Sequence, residues 1–230
     1  MAVGIDQIHQ LSYYIAAKQL TGYPSPAEWN SYAQLANIDL FNYYNDERDR
    51  LLLEVKSGQN LFVPEPLSNF IVQDYPMSST SVNSYPPYLS PSLPADYFFS
   101  LAVKFQALNG SYNDVNRVQY QKLQNTLQST IDNPTTTYPI FVEYSNNINI
   151  YPYNTPTPIV MTYIRYPVTP VWNYTIINGV PTYTSVGSVD FEFDSSETFR
   201  LLARILNYMG ISIRDNELEQ YAQQMTQIAS

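Results

Sequence analysis

The sequence predicts an α+β chain, with helical N-terminal and C-terminal segments flanking a strand-rich middle of antiparallel sheet or sandwich type. Three observations carry this. Ser25-Pro26-Ala27-Glu28 is a strong helix start followed by a long apolar stripe. The middle is dense in Tyr, Val, Ile and Pro and contains Ile176-Ile177-Asn178-Gly179-Val180, a hairpin signal because both centres of a type I′ turn need φ > 0. From Asp194 onward, helical periodicity returns.

The elements follow in order. Residues 5–20 read as a helix with Ile5, Ile8, Leu11 and Ile15 near one face and Gly22 beyond its end. In the next helix Ser25 is the N-cap, Pro26 occupies the first turn where its missing N–H costs nothing, and Glu28 closes a capping box. Trp29, Tyr32, Ala33, Ala36, Leu40, Tyr43 and Tyr44 form its apolar stripe, and it runs toward Lys56, breaking by Gly58. The mixed-sign run Asp46-Glu47-Arg48-Asp49-Arg50 reads as a solvated face.

Pro64 and Pro66 end the helical region, and Phe70–Tyr75 reads as a strand. Residues 76–92, rich in Ser and Pro, read as a long loop. A strand over Phe98–Leu108 follows, with a short helix as the other option, then a weak helical pattern through Val118, Leu123, Leu127 and Ile131. Strands return at Tyr138–Tyr144, Ile148–Tyr151 and Ile159–Tyr166, with a turn at Asn146-Asn147. Ser188–Phe193 alternates apolar residues with acids. Asp194, with Glu197 three residues on, starts a helix striped by Phe199, Leu202, Ala203 and Leu206 and ending at Gly210. Asp215 starts a final helix with Leu218, Tyr221, Ala222, Met225 and Ile228 on one face. The expected partition is a helical hairpin over 1–60, a β-rich domain over 61–193 with the loop 76–92, and a helical pair over 194–230, integrated into one structural unit. No internal repeat is present.

Composition narrows the function classes. With 230 residues, 44% of them hydrophobic, the chain can build a proper core. The 11 basic and 20 acidic residues give a net charge of −9, and the basic ones are scattered, which disfavours gripping phosphate backbones. With no cysteine, disulfides and thiolate metal sites are excluded. The first residues carry no basic, signal-type segment and no run of 18 apolar residues occurs, so a soluble product starting in the cytosol is expected. The sequons at Asn109 and Asn173 then read as coincidences.

Little in the sequence points to catalysis. His9, the single histidine, lies on the first helix and reads as a packing or surface residue. No serine-nucleophile motif, phosphate loop or zinc spacing occurs, and no cofactor is expected. The acidic row Asp190, Glu192 and Asp194 could hold Ca²⁺ or supply an acid/base pair for glycoside cleavage, against the plainer reading of a solvated strand face. The 22 tyrosines suit surfaces that become buried against a partner while staying soluble beforehand. Trp29, Tyr32, Tyr43, Tyr44, Tyr85, Tyr88, Tyr166, Trp172, Tyr174 and Tyr221 are the aromatic residues expected at such an interface. A carbohydrate site made from these tyrosines would need polar groups converging on a pocket.

In segment order the chain resembles virion structural proteins of crAss-like, podovirus-type phages of gut Bacteroidetes, and more narrowly their ring or head–tail connector proteins. The stretches that carry the resemblance are Tyr23 to Asn30, Leu93 to Tyr97, Pro134 to Pro139, Ile150 to Pro152, Tyr163 to Tyr174, Ser188 to Phe193 and Leu206 to Gly210. The Ser/Pro-rich stretch 76–92, and Tyr166 where a basic residue is expected, depart from the pattern. The resemblance implies a non-enzymatic virion subunit in the tail or neck, made in the bacterial cytoplasm. It implies a homo-oligomeric ring on the order of twelve copies, closed through heterologous interfaces. Its partners would be the portal and other ring or tail proteins, with DNA passing through the lumen unbound and no membrane involved. A carbohydrate- or receptor-binding virion module is the alternative, and a glycan-degrading tail component stands behind it.

Overall fold

Ser25 and Glu28 close a reciprocal capping box. The Ser25 N–H and Oγ both donate to Glu28 Oε2, at 2.7 and 2.8 Å, and the Glu28 N–H donates to Ser25 Oγ at 3.3 Å. From that start the computed structural model carries the longest helix among the described residues. The structure describes residues 2–18, 24–54, 63–84, 86–107, 109–144 and 147–210. The expected helix after Asp215, the end signals Gly22 and Gly58, and Asn146 lie outside the described residues.

In chain order the elements are β1 (Ala2–Val3), α1 (Ile5–Lys18), α2 (Pro26–Glu54) and a 3-10 segment (Glu65–Phe70). Next come β2 (Ile71–Met77), β3 (Ser79–Val82), β4 (Tyr88–Pro91), β5 (Tyr97–Gln106), β6 (Tyr112–Asp114) and β7 (Asn116–Arg117). Then follow α3 (Tyr120–Gln128), β8 (Ile140–Glu143), β9 (Ile148–Tyr151) and β10 (Ile159–Arg165). The chain finishes with β11 (Tyr174–Ile177), β12 (Val180–Tyr183), β13 (Phe191–Asp194), a 3-10 turn (Ser195–Glu197) and α4 (Thr198–Tyr208). Helices at both ends and antiparallel pairing in the middle make the chain α+β. Among the described residues, no helix is long and apolar enough to cross a membrane.

The chain divides into two compact units, residues 1–69 with 167–230, and residues 70–166. This replaces the expected single unit with a β-rich domain running to 193. The reason is that the chain beyond Tyr166 leaves the β-rich unit and is stitched by hydrogen bonds to α1 and α2, as described below.

In the β-rich unit, one sheet has the order β2-β10-β5-β6 and the other β3-β4-β9-β8-β7. Met161 and Ile159 of the first sheet pack in one apolar cluster with Phe141, Ile148 and Ile150 of the second. On its other face the second sheet meets α3 through Ile140, Val142 and Tyr151 against Leu123. This double burial explains why Ile140-Phe141-Val142 and Ile148–Tyr151 do not alternate: every position faces packed side chains. β2 is an edge strand and so accommodates Pro76, while Asp74, at φ 48°, lies where the register with β10 shifts.

The stretch 76–92 is more ordered than its composition suggests. Ser79–Val82 pairs antiparallel with Tyr88–Pro91, Ser79 opposite Pro91 and Val82 opposite Tyr88. β3 sits at the sheet edge, where Ser and Thr with solvated side chains are tolerated. Ile131, expected on the stripe of α3, lies beyond the helix and is 90% exposed.

The other unit is helical with a small β component. α4 packs on α1 and α2 and buries Leu201, Leu202, Ile205 and Leu206, while Phe199, expected on the stripe, is exposed and Ala203 is half-buried. The stripe is rotated because a 3-10 turn intervenes: Asp194 caps the Ser195 N–H, and helical spacing begins only at Thr198. α1 buries Ile5, Ile8, His9, Ser12 and Ala16, with Leu11 and Ile15 only half-buried. α2 buries Trp29, Ala33, Ala36, Leu40, Phe41, Tyr44 and Arg48. The expected solvated run 46–50 is therefore wrong at Arg48, which is 1% exposed and donates to Asp49 at 2.7 Å. Its long apolar stem lets an arginine sit in a packed stripe while its head finds an acid.

Removing a side chain shared by both sheets should cost far more than removing one from the surface. Ile150→Ala is expected to lower stability by about 2–5 kcal/mol, and Ile176→Ala, at a 70% exposed position, to change it by under about 0.5 kcal/mol. Paired denaturant titrations of the two variants check this.

Candidate functional site

Trp172 organises the most distinctive site. Its N–H donates to Asn30 Oδ1 at 2.8 Å, and Asn30 Nδ2 donates back to its carbonyl at 3.1 Å, so one amide side chain serves both backbone groups. Its indole Nε1–H donates to Asp6 Oδ1 at 3.0 Å. Asn37 donates to the Val168 carbonyl at 3.2 Å, and the Val168 N–H donates to Glu192 Oε2 at 2.8 Å. An extended segment is thus tied to two helices more than 100 residues away in sequence.

His9 completes the anchor. Its imidazole stacks on Trp172 at 3.7 Å between centroids and 8° between planes, with the Trp29 ring edge-on at 4.7 Å and Tyr13 at 4.4 Å. The Trp29 indole N–H donates to Ser12 Oγ, and Ser12 donates to the His9 carbonyl, each at 2.8 Å. His9 is 8% exposed and its Nε2 has no hydrogen-bond partner. Burial pushes its pKa down to about 4, against a smaller upward pull from Asp6.

On this anchor stands a hairpin. Beyond Trp172 the chain enters β11 and returns through β12, pairing Tyr174 with Tyr183 and Ile177 with Val180. Asn178 and Gly179 both take positive φ, 52° and 81°, as the Asn-Gly signal requires. Tyr174 stacks on Trp172 at 5.6 Å and 19°, and Tyr183 lies 6.2 Å away. Asn173 fastens the base: its Nδ2 donates to the Val186 carbonyl at 2.7 Å, and its N–H donates to Ser188 Oγ at 2.9 Å. Gly187, at φ 80°, is needed there because a Cβ would stand 2.8 Å from Asn173 Nδ2.

The far end of the hairpin is bare. Ile176 is 70% exposed, Ile177 54%, Val180 61%, and Val186 near the base 79%. Ile176 sits opposite Pro181 and Ile177 opposite Val180, so apolar side chains project from both faces of the ribbon. Among the described residues no third strand joins this two-stranded sheet.

The residues expected at an interface scatter. Trp29, Tyr44 and Trp172 are buried, and their aromatic surface is already used inside their own unit. The Tyr44 hydroxyl donates to buried Glu197 and accepts from Arg200, and burial followed by the Glu197 carboxylate raises its pKa. Tyr43 is 46% exposed, with the guanidinium groups of Arg200 and Arg204 over its ring at 5.9 and 5.3 Å. Tyr166 is 50% exposed, Tyr32, Tyr88 and Tyr174 are half-buried, and Tyr85 and Tyr221 lie outside the described residues.

The acidic row does not converge on a ligand. Asp190 accepts from the Ile5 N–H at 2.8 Å, placing a negative charge on the first turn of α1, Glu192 accepts from Val168, and Asp194 accepts from Ser195 at 2.8 Å. Among the described residues no three His, Asp or Glu side chains gather as a metal site. The residues that sequence reasoning missed are Ile176, Ile177 and Val180. The turn was legible, but an apolar strand flanking it reads as buried unless a covering layer is known to be absent.

Because His9 is held neutral, its contribution to stability is complete above its unfolded pKa of about 6.5 and is lost as the pH falls toward about 4. The loss amounts to about 3 kcal/mol by pH 4. His9→Phe should remove that part of the acid sensitivity, so the variant gains on the parent between pH 7 and pH 4, as read from denaturation midpoints. No family model matches the chain, and no curated protein matches it either.

Proposed function

We propose that the protein is a non-enzymatic assembly subunit of a phage virion, one of the ring proteins stacked between portal and tail. The observation that carries the reading is the hairpin β11–β12, fixed at its base by Trp172 and apolar on both faces of its tip. An isolated two-stranded ribbon is marginal in water, and contiguous exposed apolar surface marks a place where another chain packs. Among the described residues no further strand pairs with either outer edge of the ribbon, and the β11 edge in particular can accept a neighbour's strand, Pro181 lacking a donor on the β12 edge.

A ring subunit needs two different complementary patches, because a heterologous contact repeated around an axis joins unlike surfaces. The hairpin tip supplies one, and a receiving groove on the next copy would supply the other. The resemblance in segment order to crAss-like phage connector proteins gives the setting, and the net charge of −9 suits a subunit past which DNA slides without sticking. The partners are then copies of the same chain, the portal and adjacent ring or tail proteins.

Light scattering and negative-stain averaging of the purified chain at tens of micromolar, alone and with the neighbouring virion proteins, should show closed oligomers. The double substitution Ile176→Asp and Val180→Asp should abolish them while leaving the melting temperature within a few degrees, since both positions are exposed. A chain that stays monomeric alone and with those neighbours refutes the reading.

A further inference from the structure

In the β-rich unit, tyrosines collect in a cleft between α3 and the outer face of the second sheet. Tyr88 comes from β4, Tyr120 from α3, Tyr151 from β9, and Tyr144 follows β8. The cleft encloses about 450 Å³, within the usual range of small-molecule sites, about 300–1,000 Å³. The Tyr120 and Tyr144 rings meet edge to face at 5.5 Å, and those of Tyr88 and Tyr151 lie 5.6 Å apart at 51°. Asn149, 8% exposed, lines the cleft beside Tyr144 and Tyr151. Gln124 adds a second amide from the exposed side of α3.

Among the described residues, no charged side chain lines this cleft. The hydroxyls of Tyr144 and Tyr151 stay neutral as well, because burial, followed by the neighbouring tyrosines, raises their pKa above the ordinary value. Across Tyr120, an adjoining groove of about 710 Å³ does contain charge, but there Arg117 and Glu143 form an ion pair at 2.5 Å and satisfy each other. A phosphate, nucleotide or uronic acid would therefore enter without a counterion. An apolar peptide anchor would find phenol hydroxyls and amides where it needs hydrocarbon, since Leu123 on the cleft floor is already 4% exposed.

What remains is a ligand with no charge, many hydroxyl groups and a flat carbon-hydrogen face. We propose that the cleft formed by Tyr88, Tyr120, Tyr144, Tyr151, Asn149 and Gln124 is a binding site for a neutral oligosaccharide. Sugar rings lay their C–H faces on aromatic rings, and their hydroxyls both donate and accept, matching planar amides that offer an oxygen and an NH₂ group together. Tyr120, 65% exposed, and Tyr144, 39% exposed, are the accessible platforms. Tyr151 and Asn149 are the preset polar floor. The inference is independent of ring assembly, which rests on the hairpin of the other unit.

The test is an array of neutral hexose and N-acetylhexosamine oligosaccharides printed beside sialylated and uronic-acid glycans, followed by calorimetric titration of the strongest neutral binder. The full chain should bind one or more neutral glycans. Tyr120→Ala and Gln124→Ala should each weaken that binding at least tenfold, and Tyr120→Phe should stay within about threefold of the parent because the stacking face is kept. Tyr120 and Gln124 are exposed, so thermal melting should show the variants folded. The proposal is overturned if no neutral glycan binds at millimolar concentration, if only acidic glycans bind, or if both alanine variants bind as the parent does. It is equally overturned if Tyr120→Ala abolishes self-association rather than glycan binding, which would mean that a protein chain covers the cleft.

Discussion

The helical unit depends on the fastening of Trp172. Residues 1–69 and 167–230 belong together although a whole unit lies between them in sequence, so closing that loop carries an entropic cost that grows slowly with its length. The fastening offsets it with a concentrated set of contacts: Asn30 satisfies both backbone groups of Trp172, Asp6 satisfies its indole, and the His9 ring stacks on its face. A hydrogen bond of this kind is worth about 0.5–1.5 kcal/mol net, whereas a buried backbone group left unmatched costs about 1–3 kcal/mol. Losing Asn30 would therefore hurt more through the orphaned Trp172 backbone than through the contacts it makes. The same unit is closed again at β1 and β13, where Val3 pairs with Phe191 and Asp190 caps α1.

Much of this architecture was legible, and the reasons separate by range of interaction. Local signals held: the capping box at Ser25 and Glu28, the Asn178-Gly179 turn and the strands over 148–151 and 159–165 are decided by neighbours in sequence. Readings that depended on what lies opposite went astray. Arg48 looked solvated within a charged run, and Phe199 looked buried within an apolar stripe, because periodicity finds a face without saying which way it is turned. Composition hid β3 and with it the pairing of β4, since the edge strand β3 needs neither an apolar face nor an unbroken donor row. Nor do the tyrosines behave alike: Tyr44, Tyr151 and Tyr163 lie in the core while Tyr120, Tyr138 and Tyr153 are exposed.

The candidate sites show the same division more sharply. The hairpin could be read from four residues, yet its exposed tip is visible only from the fold, where no third strand among the described residues joins it. The tyrosine cleft draws on β4, α3, β9 and the residue after β8, which span 64 positions (88 to 151) and share no motif. Only the pairing of Ile150 with Leu89 and with Phe141 brings Tyr88, Tyr144 and Tyr151 onto one side of the sheet. Asp190, Glu192 and Asp194 are the converse: close in sequence and alike in charge, they are separated in use, each accepting from a different backbone N–H.

The two sites also differ in the kind of contact their surfaces can make. The hairpin tip presents Ile176, Ile177 and Val180, whose burial releases water from hydrocarbon at about 25 cal/mol per Å² and needs no particular orientation beyond fit. Such a surface favours a large, lasting contact that is made once. The cleft presents hydroxyls and amides around aromatic faces, where each displaced water must be replaced by a matching group. That chemistry gives selectivity with modest affinity and allows release. A long-lived attachment carried by a hydrocarbon ribbon, and a reversible one carried by a polar aromatic cleft, are different tasks, and each unit of this chain carries the surface chemistry for one of them.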